Sequence, residues 1–111
     1  MSDEFVYLLH FQKPISERHT CQHYIGTCRD LATRVQQHEH GSSSAARLTQ
    51  VAHERHIPFT VARVWRGGRE LERYLKRRKN TPKLCPFCAE TIQPGLFELT
   101  PTEIQDALVA F

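Results

Sequence analysis

The 111-residue chain lacks any long apolar run, and its N-terminus lacks a basic stretch that leads into an apolar one. A membrane-spanning helix needs about 20 apolar residues and a secretory signal needs both N-terminal features, so we expect neither. Lysine and arginine are absent from residues 84–111, which carry acids instead. These absences favour a cytoplasmic protein with one modest core, no membrane partner and a C-terminal end of different charge.

Basic side chains are concentrated in residues 63–83, which hold nine of them against two acids. They are Arg63, Arg66, Arg69, Arg73, Lys76, Arg77, Arg78, Lys79 and Lys83. A basic surface suits a polyanion such as nucleic acid, although an ordinary solvated helix face has the same pattern.

The four cysteines are Cys21, Cys28, Cys85 and Cys88. In a cytosolic chain they are expected to be thiols or metal ligands. The last two form a Cys-x-x-Cys knuckle, which is half of a structural zinc site. Cys21 with His19 or His23 could supply the other half, because these three residues share one face of a predicted strand. The alternative is a pair of buried thiols in a tight turn.

Hydrophobic patterning predicts three strands and four helices. The strands are expected at residues 5–11, 19–26 and 59–65, and the helices after Thr27, at residues 45–56 and 69–79, and after Thr100. The first strand is apolar on both alternating faces, which predicts a central position in the sheet. We therefore predict an α+β domain, with a small three-stranded antiparallel sheet flanked by helices and with a C-terminal knuckle and helix.

Polar residues predict where the helices begin and end. Thr27-x-x-Asp30 matches a capping box, and Gly41 is a candidate C-cap. The serines of residues 42–44 are expected to cap the second helix, and Thr100 followed by Pro101 to open the last one.

Five side chains in this order resemble the GIY-YIG nuclease family. Phe5-Val6-Tyr7 keeps the tyrosine of the first motif, and Tyr24-Ile25-Gly26 carries the second in full. Arg34 and His38 match the arginine and histidine of the following helix, and Glu72, four residues before Lys76, matches the glutamate of a later helix. The resemblance covers about residues 5–80. The Gly-Ile before Tyr7 is missing, and residues 8–23 form a longer stretch than is common.

The resemblance implies a DNA endonuclease that hydrolyses phosphodiester bonds with one divalent metal ion. Glu72 would bind Mg²⁺ or Mn²⁺, because one carboxylate with water and phosphate oxygens is a normal shell for a hard cation. Arg34 would hold the phosphate. Tyr7 would be the general base, acidified by the metal ion and Arg34, while Tyr24 positions the water and His38 relays a proton or binds phosphate.

The resemblance assigns residues 1–83 to the nuclease domain, with residues 84–111 packed onto it. Six basic residues are candidates for DNA contact: Arg47, Arg66, Arg73, Lys76, Arg77 and Lys79. A domain this small has little surface for distinguishing bases, so specificity would come from DNA structure, a homodimer or a partner protein. The alternative function is a non-catalytic nucleic-acid-binding module with the same fold. A further alternative is a protein-interaction domain whose acidic tail docks on a partner or shields the basic groove.

Overall fold

The computed structural model describes residues 4–14, 22–41, 46–77, 84–88 and 97–109. The elements are β1 (Phe5–Phe11), β2 (His23–Cys28), α1 (Leu31–Glu39), α2 (Arg47–Glu54), β3 (Phe59–Arg66), α3 (Arg69–Arg77) and α4 (Pro101–Leu108). The strands form one antiparallel sheet in the order β2–β1–β3. The predicted α+β fold is therefore confirmed.

The central position of β1 follows from its sequence. Val6, Tyr7, Leu8 and Leu9 are fully buried in succession, so both faces of the strand are covered. A strand with one solvated face would instead alternate apolar and polar residues. The prediction of a central first strand is confirmed.

Alternate residues of the sheet face two separate cores. On one face, Val6 and Leu8 pack with Ile25, Trp65 and the α3 residue Leu75. On the other face, Tyr7, Leu9 and Val64 pack with α1 residues Leu31 and Val35, and Leu99 joins them from the C-terminal segment. Neighbouring residues of one strand therefore pack into different cores.

A β-bulge in β3 keeps the second face apolar along its length. Opposite Leu8 lies Arg63, but opposite the next residue, Leu9, lies Val61, so Ala62 is the extra residue. Because side chains alternate with a period of two, this shift turns Val61 and Phe59 toward the same core as Val64.

Two of the predicted helix caps are wrong. Thr27 lies inside β2, where it pairs with Val6, and Asp30 itself is the N-cap of α1, accepting a hydrogen bond from Thr33 N. The strand continues past Gly26 because β1 still offers backbone partners there. The N-cap of α2 is Ala46, with no side-chain hydrogen bond, rather than a serine. Residues 42–44 lie outside the described parts of the chain.

The last helix begins as predicted, and the first ends one residue before the predicted C-cap. The C-cap of α1 is His40, and Gly41 follows it with a φ of +62°, a left-handed conformation that glycine tolerates best. The Gly41 N–H donates a hydrogen bond to His38 O. At α4, Thr100 and Glu103 form a capping box and Pro101 occupies the first turn.

A buried ion pair fixes the C-terminal segment against β3. Arg63 is 6 % exposed and forms two hydrogen bonds of 2.6 Å with the Glu98 carboxylate, and a third to Leu84 O at 3.2 Å. Leu99 N also bonds to Val64 O. The prediction that Arg63 belongs to an exposed basic stretch is wrong, because its charge is neutralised inside the protein.

Another acid of the C-terminal segment, Glu103, makes a looser contact than Glu98. Glu103 lies 3.5 Å from Arg66, and both side chains are about half exposed.

In the described part of the chain, no helix has both the length and the apolar character needed to cross a bilayer.

Candidate active site and metal-binding cluster

The Tyr7 side chain lies over Gly26 of the neighbouring strand. The two residues are directly paired, and a Cβ atom at Gly26 would come 2.5 Å from the Tyr7 hydroxyl and 2.9 Å from a Tyr24 ring carbon. Glycine is therefore required here by space, since any side chain would displace one or both tyrosines. The rings of Tyr7 and Tyr24 are 6.1 Å apart and lie on the face covered by α1.

The Tyr7 hydroxyl is held by two side chains of α1. His38 Nε2 lies 2.7 Å from it, and Arg34 also donates a hydrogen bond to it. Arg34 and His38 meet the same group because they are one turn apart on the helix. The family resemblance implied a role for both residues, but not that His38 would be only 1 % exposed.

His38 is held from its other side by α2. Its Nδ1 lies 2.6 Å from Thr49 Oγ1, and that hydroxyl donates to Ala46 O at 2.9 Å. Sequence analysis did not identify Thr49 as part of the site. Its place in the helix pattern marks it only as a residue near the apolar face, and the contact depends on how α2 packs against α1.

Burial dominates the protonation of this cluster. The pKa of Tyr7 is raised well above its ordinary value, chiefly by burial, whereas the hydrogen bond from Arg34 opposes this rise. Of the two groups that are predicted to acidify Tyr7, Arg34 acts in the predicted direction, and the effect of a metal ion stays a prediction. Burial and the nearby Arg34 charge lower the pKa of His38 to about 4, which leaves the imidazole neutral at physiological pH.

Glu72 is linked to the tyrosine cluster through Lys76. Its carboxylate is 3.0 Å from Lys76 Nζ, and that ammonium lies 5.9 Å from the centre of the Tyr24 ring. The Glu72 side chain is 18 % exposed, so solvent and solutes reach it. Glu72 therefore shares one cationic neighbour with Tyr24 and has no described contact with Tyr7, Arg34 or His38.

The predicted DNA-contacting residues lie on several elements. Arg73, Lys76 and Arg77 are exposed on α3, Arg66 is exposed at the end of β3, and Arg47 is exposed at the start of α2. Lys79 lies outside the described residues. The three α3 cations follow Glu72 along the same helix, whereas Arg66 is paired with Glu103.

A second cluster lies on the opposite face of β1 and β2. His10 and His23 are paired across the strands, with His10 Nδ1 3.2 Å from His23 Nε2. Cys85 Sγ lies 3.3 Å and Cys88 Sγ 3.6 Å from His10 Nδ1, and Cys88 Sγ lies 3.4 Å from His23 Nε2. These four side chains could hold a metal ion.

The sequence identified three of these four residues. His23, Cys85 and Cys88 meet as predicted, whereas Cys21 lies outside the described residues and His10 was missed. Parity along β1 and β2 could have found His10, but only once the register that pairs it with His23 is known. Burial and the neighbouring His10 lower the pKa of His23, which favours the neutral imidazole that metal ions require.

A Gly26→Ala variant should be less stable by about 1–3 kcal/mol, because the added methyl group overpacks the site at the Tyr7 hydroxyl. Denaturant unfolding measures this loss. Gly68→Ala is the control, since the atoms closest to its Cβ are the carboxylate atoms of Glu4, a side chain that is about a third exposed. Equal, small losses in both variants would contradict the placement of Tyr7 over Gly26.

Comparison of the chain with models of protein families, with curated proteins and with solved structures finds no match in any of the three.

Proposed function

We propose that the protein is a metal-dependent endonuclease that hydrolyses phosphodiester bonds of DNA. One observation carries the proposal: the Tyr7 oxygen is contacted by a cation, Arg34, and by a neutral imidazole, His38. Hydrolysis needs a group that takes a proton from water and a cation that holds phosphate. Tight packing of a sheet tyrosine requires neither, so the arrangement supports chemistry rather than a role in the core alone.

Arg34 would bind the phosphate and Tyr7 would take the proton. The Tyr7 ring is fully buried, whereas Arg34 is partly exposed. The Arg34 guanidinium donates a hydrogen bond of 3.0 Å to Gln37 Oε1. Movement of Arg34 toward a phosphate would give water access to the Tyr7 oxygen. The water oxygen then attacks phosphorus, the proton of water moves to Tyr7 as the proton of Tyr7 moves to His38, and the leaving oxygen takes a proton from solvent as its bond to phosphorus breaks.

Glu72 would hold the divalent ion of the reaction. A single carboxylate fits Mg²⁺ or Mn²⁺, because these ions keep several waters and take phosphate oxygens as further ligands. The partial exposure of Glu72 leaves room for such ligands. Its ion pair with Lys76 is weak, because the Lys76 side chain is half exposed, so a metal ion could displace the ammonium group. When bound, the ion supplies positive charge against the negative charge that develops on the phosphate.

The exposed cations of α3 would bind the DNA backbone beside Glu72. Arg73, Lys76 and Arg77 lie one to five residues after it on the same helix. Contacts of this type neutralise phosphates and carry little sequence information, so affinity should fall steeply with salt. Arg47 and Arg66 are the candidates for extending this surface.

We propose zinc as the ion for the His10–His23–Cys85–Cys88 cluster. Zinc–nitrogen bonds of about 2.0 Å and zinc–sulfur bonds of about 2.3 Å place tetrahedral ligand atoms about 3.3–3.8 Å apart. Four of the six separations in the structure are 3.2, 3.3, 3.4 and 3.6 Å, and all four ligand atoms lie within 4.8 Å of one another. A Cys₂His₂ set without a carboxylate is typical of closed structural sites. Metal analysis of protein purified under reducing conditions should find one zinc per chain.

Cleavage of DNA in the presence of Mg²⁺ or Mn²⁺ tests the nuclease proposal. We expect the purified protein to cut at least one of duplex, nicked, flapped and branched DNA. Tyr7→Phe keeps the ring and removes the hydroxyl, so it should lower the cleavage rate by about 10²–10⁴-fold. Gel-based assays of DNA cleavage measure rates over this range.

Tyr74→Phe is the matched control, because it makes the same chemical change at an exposed tyrosine of α3. It should leave the rate within about threefold of wild type. Binding of all four DNA forms without any cleavage would instead support the non-catalytic nucleic-acid-binding module. Equal activity of Tyr7→Phe and wild type would contradict the role given to Tyr7.

A further inference from the structure

We propose that Thr49 is a positioning residue of the candidate active site, whose hydroxyl holds His38 in the tautomer that accepts the Tyr7 proton at Nε2. The catalytic consequence rests on the nuclease function proposed above. The hydrogen-bond arrangement itself does not, and it can be tested separately.

The direction of the hydrogen bonds follows from the carbonyl group at the end of the chain of contacts. A carbonyl oxygen only accepts, so Thr49 must use its single hydroxyl hydrogen to donate to Ala46 O. The Thr49 oxygen can then only accept from His38, which places a proton on His38 Nδ1. His38 Nε2 is left with a lone pair, and the Tyr7 hydroxyl donates to it.

Burial limits the hydrogen-bond partners that these three side chains can use. Tyr7 is fully buried, and His38 and Thr49 are each 1 % exposed. Water therefore has little access to replace a lost partner, and a buried donor without an acceptor costs about 1–3 kcal/mol. The three side chains come from β1, α1 and α2, so the packing of α2 against α1 determines the tautomer of His38.

The tautomer matters because Tyr7 carries its own proton in the resting protein. To accept a proton from water, the Tyr7 oxygen must release that proton, and His38 Nε2 is the acceptor it touches. The proton of water ends on Tyr7, the former Tyr7 proton ends on His38, and the hydroxide oxygen forms the new bond to phosphorus. The leaving oxygen takes its proton from solvent. With the opposite tautomer, Nε2 already carries a proton and this transfer is blocked.

Arg34 controls how readily His38 accepts the proton. In the free protein, its charge disfavours the imidazolium form. A phosphate bound to Arg34 brings negative charge that offsets this effect. Proton transfer to His38 is therefore easier when substrate is present than when it is absent.

Nitrogen NMR of His38 in the wild-type protein tests the arrangement without any variant. Long-range ¹H–¹⁵N spectra near pH 7 should show Nδ1 protonated and Nε2 unprotonated. Finding the proton on Nε2 would overturn the proposal, whether or not the protein cuts DNA.

Two substitutions then separate positioning from packing. Thr49→Val keeps the shape but leaves His38 Nδ1 without an acceptor, so we expect a shift toward the Nε2–H tautomer and a kcat about 10–100-fold lower, with KM within about twofold. Thr49→Ser restores the hydroxyl and should recover both the tautomer and most of kcat. An unchanged tautomer and kcat in Thr49→Val would overturn the proposal.

The failures of the two proposals are distinguishable. A wild-type protein that shows the Nδ1–H tautomer but cuts no DNA would contradict the nuclease function and still support the hydrogen-bond arrangement. A protein that cuts DNA and keeps its activity in Thr49→Val would support the nuclease function and reject the role of Thr49.

Discussion

Removal of zinc from the His10–His23–Cys85–Cys88 cluster should destabilise the protein by about 4 kcal/mol or more. This is the linkage expected for a ligand present at about 1,000 times its dissociation constant. The ion would join two strands to a C-terminal segment that is distant in sequence, and a structural zinc site contributes directly to folding. The midpoint of thermal unfolding should fall by about 15 °C or more on treatment with a chelator and a reductant.

Variants separate loss of the ion from loss of a thiol. Cys88→Ser should lose both the zinc and the stability. Cys28→Ser, which changes a half-buried thiol outside the cluster, should retain one zinc per chain. If chelated and untreated protein unfold at the same temperature, or if both variants keep their zinc, the cluster is not a structural zinc site.

Glu72→Gln should lower DNA cleavage by about 10³-fold or more, while DNA binding stays within a few-fold of wild type. The amide is similar in size to the carboxylate but lacks the charge that a hard cation needs. Stability should change little, because the lost ion pair with Lys76 is an i, i+4 pair that is worth about 0.3–0.5 kcal/mol. Measurements of cleavage rate, DNA affinity and unfolding free energy together show whether the lost activity comes from metal binding, DNA binding or folding.

Glu70→Gln provides the matched control for Glu72→Gln. Both residues lie in the first turn of α3 and both substitutions change the net charge equally, but Glu70 is exposed on the surface. We expect Glu70→Gln to cut DNA at the wild-type rate. Parallel loss of cleavage and binding in Glu72→Gln would indicate a role in folding or DNA binding. Equal loss in both variants would indicate a general charge effect.

Local rules account for one part of the arrangement around Tyr7. Helical periodicity puts Arg34 and His38, four residues apart, on one side of α1. That Tyr7 and Tyr24 share a face depends on the register of β1 and β2, and the family resemblance, not a local pattern, grouped the four side chains that the structure brings together. The position of Glu72 relative to them depends on how α3 packs on the opposite face of the sheet, and local patterns do not contain that information.

Contacts between distant segments were not predictable. His10 joins the cysteine knuckle only because the register pairs it with His23, and Thr49 joins the site only because α2 packs against α1. Arg63 illustrates the same limit. Its position in a basic stretch suggested a surface charge, but Glu98, which neutralises it, is 35 residues away.

The central position of β1 also constrains the order of folding. β1 precedes β3 by the whole of β2, α1 and α2, yet Phe5 pairs with Arg66 at the far end of β3. A partly synthesised chain that stops before Phe59 therefore leaves one side of β1 without its backbone partners. Closing such distant pairings is slow, and unpaired apolar strands are prone to aggregate. The hairpin of β1 and β2, which carries both histidines of the metal-ligand cluster and both tyrosines of the candidate active site, is therefore protected only after β3 has been synthesised.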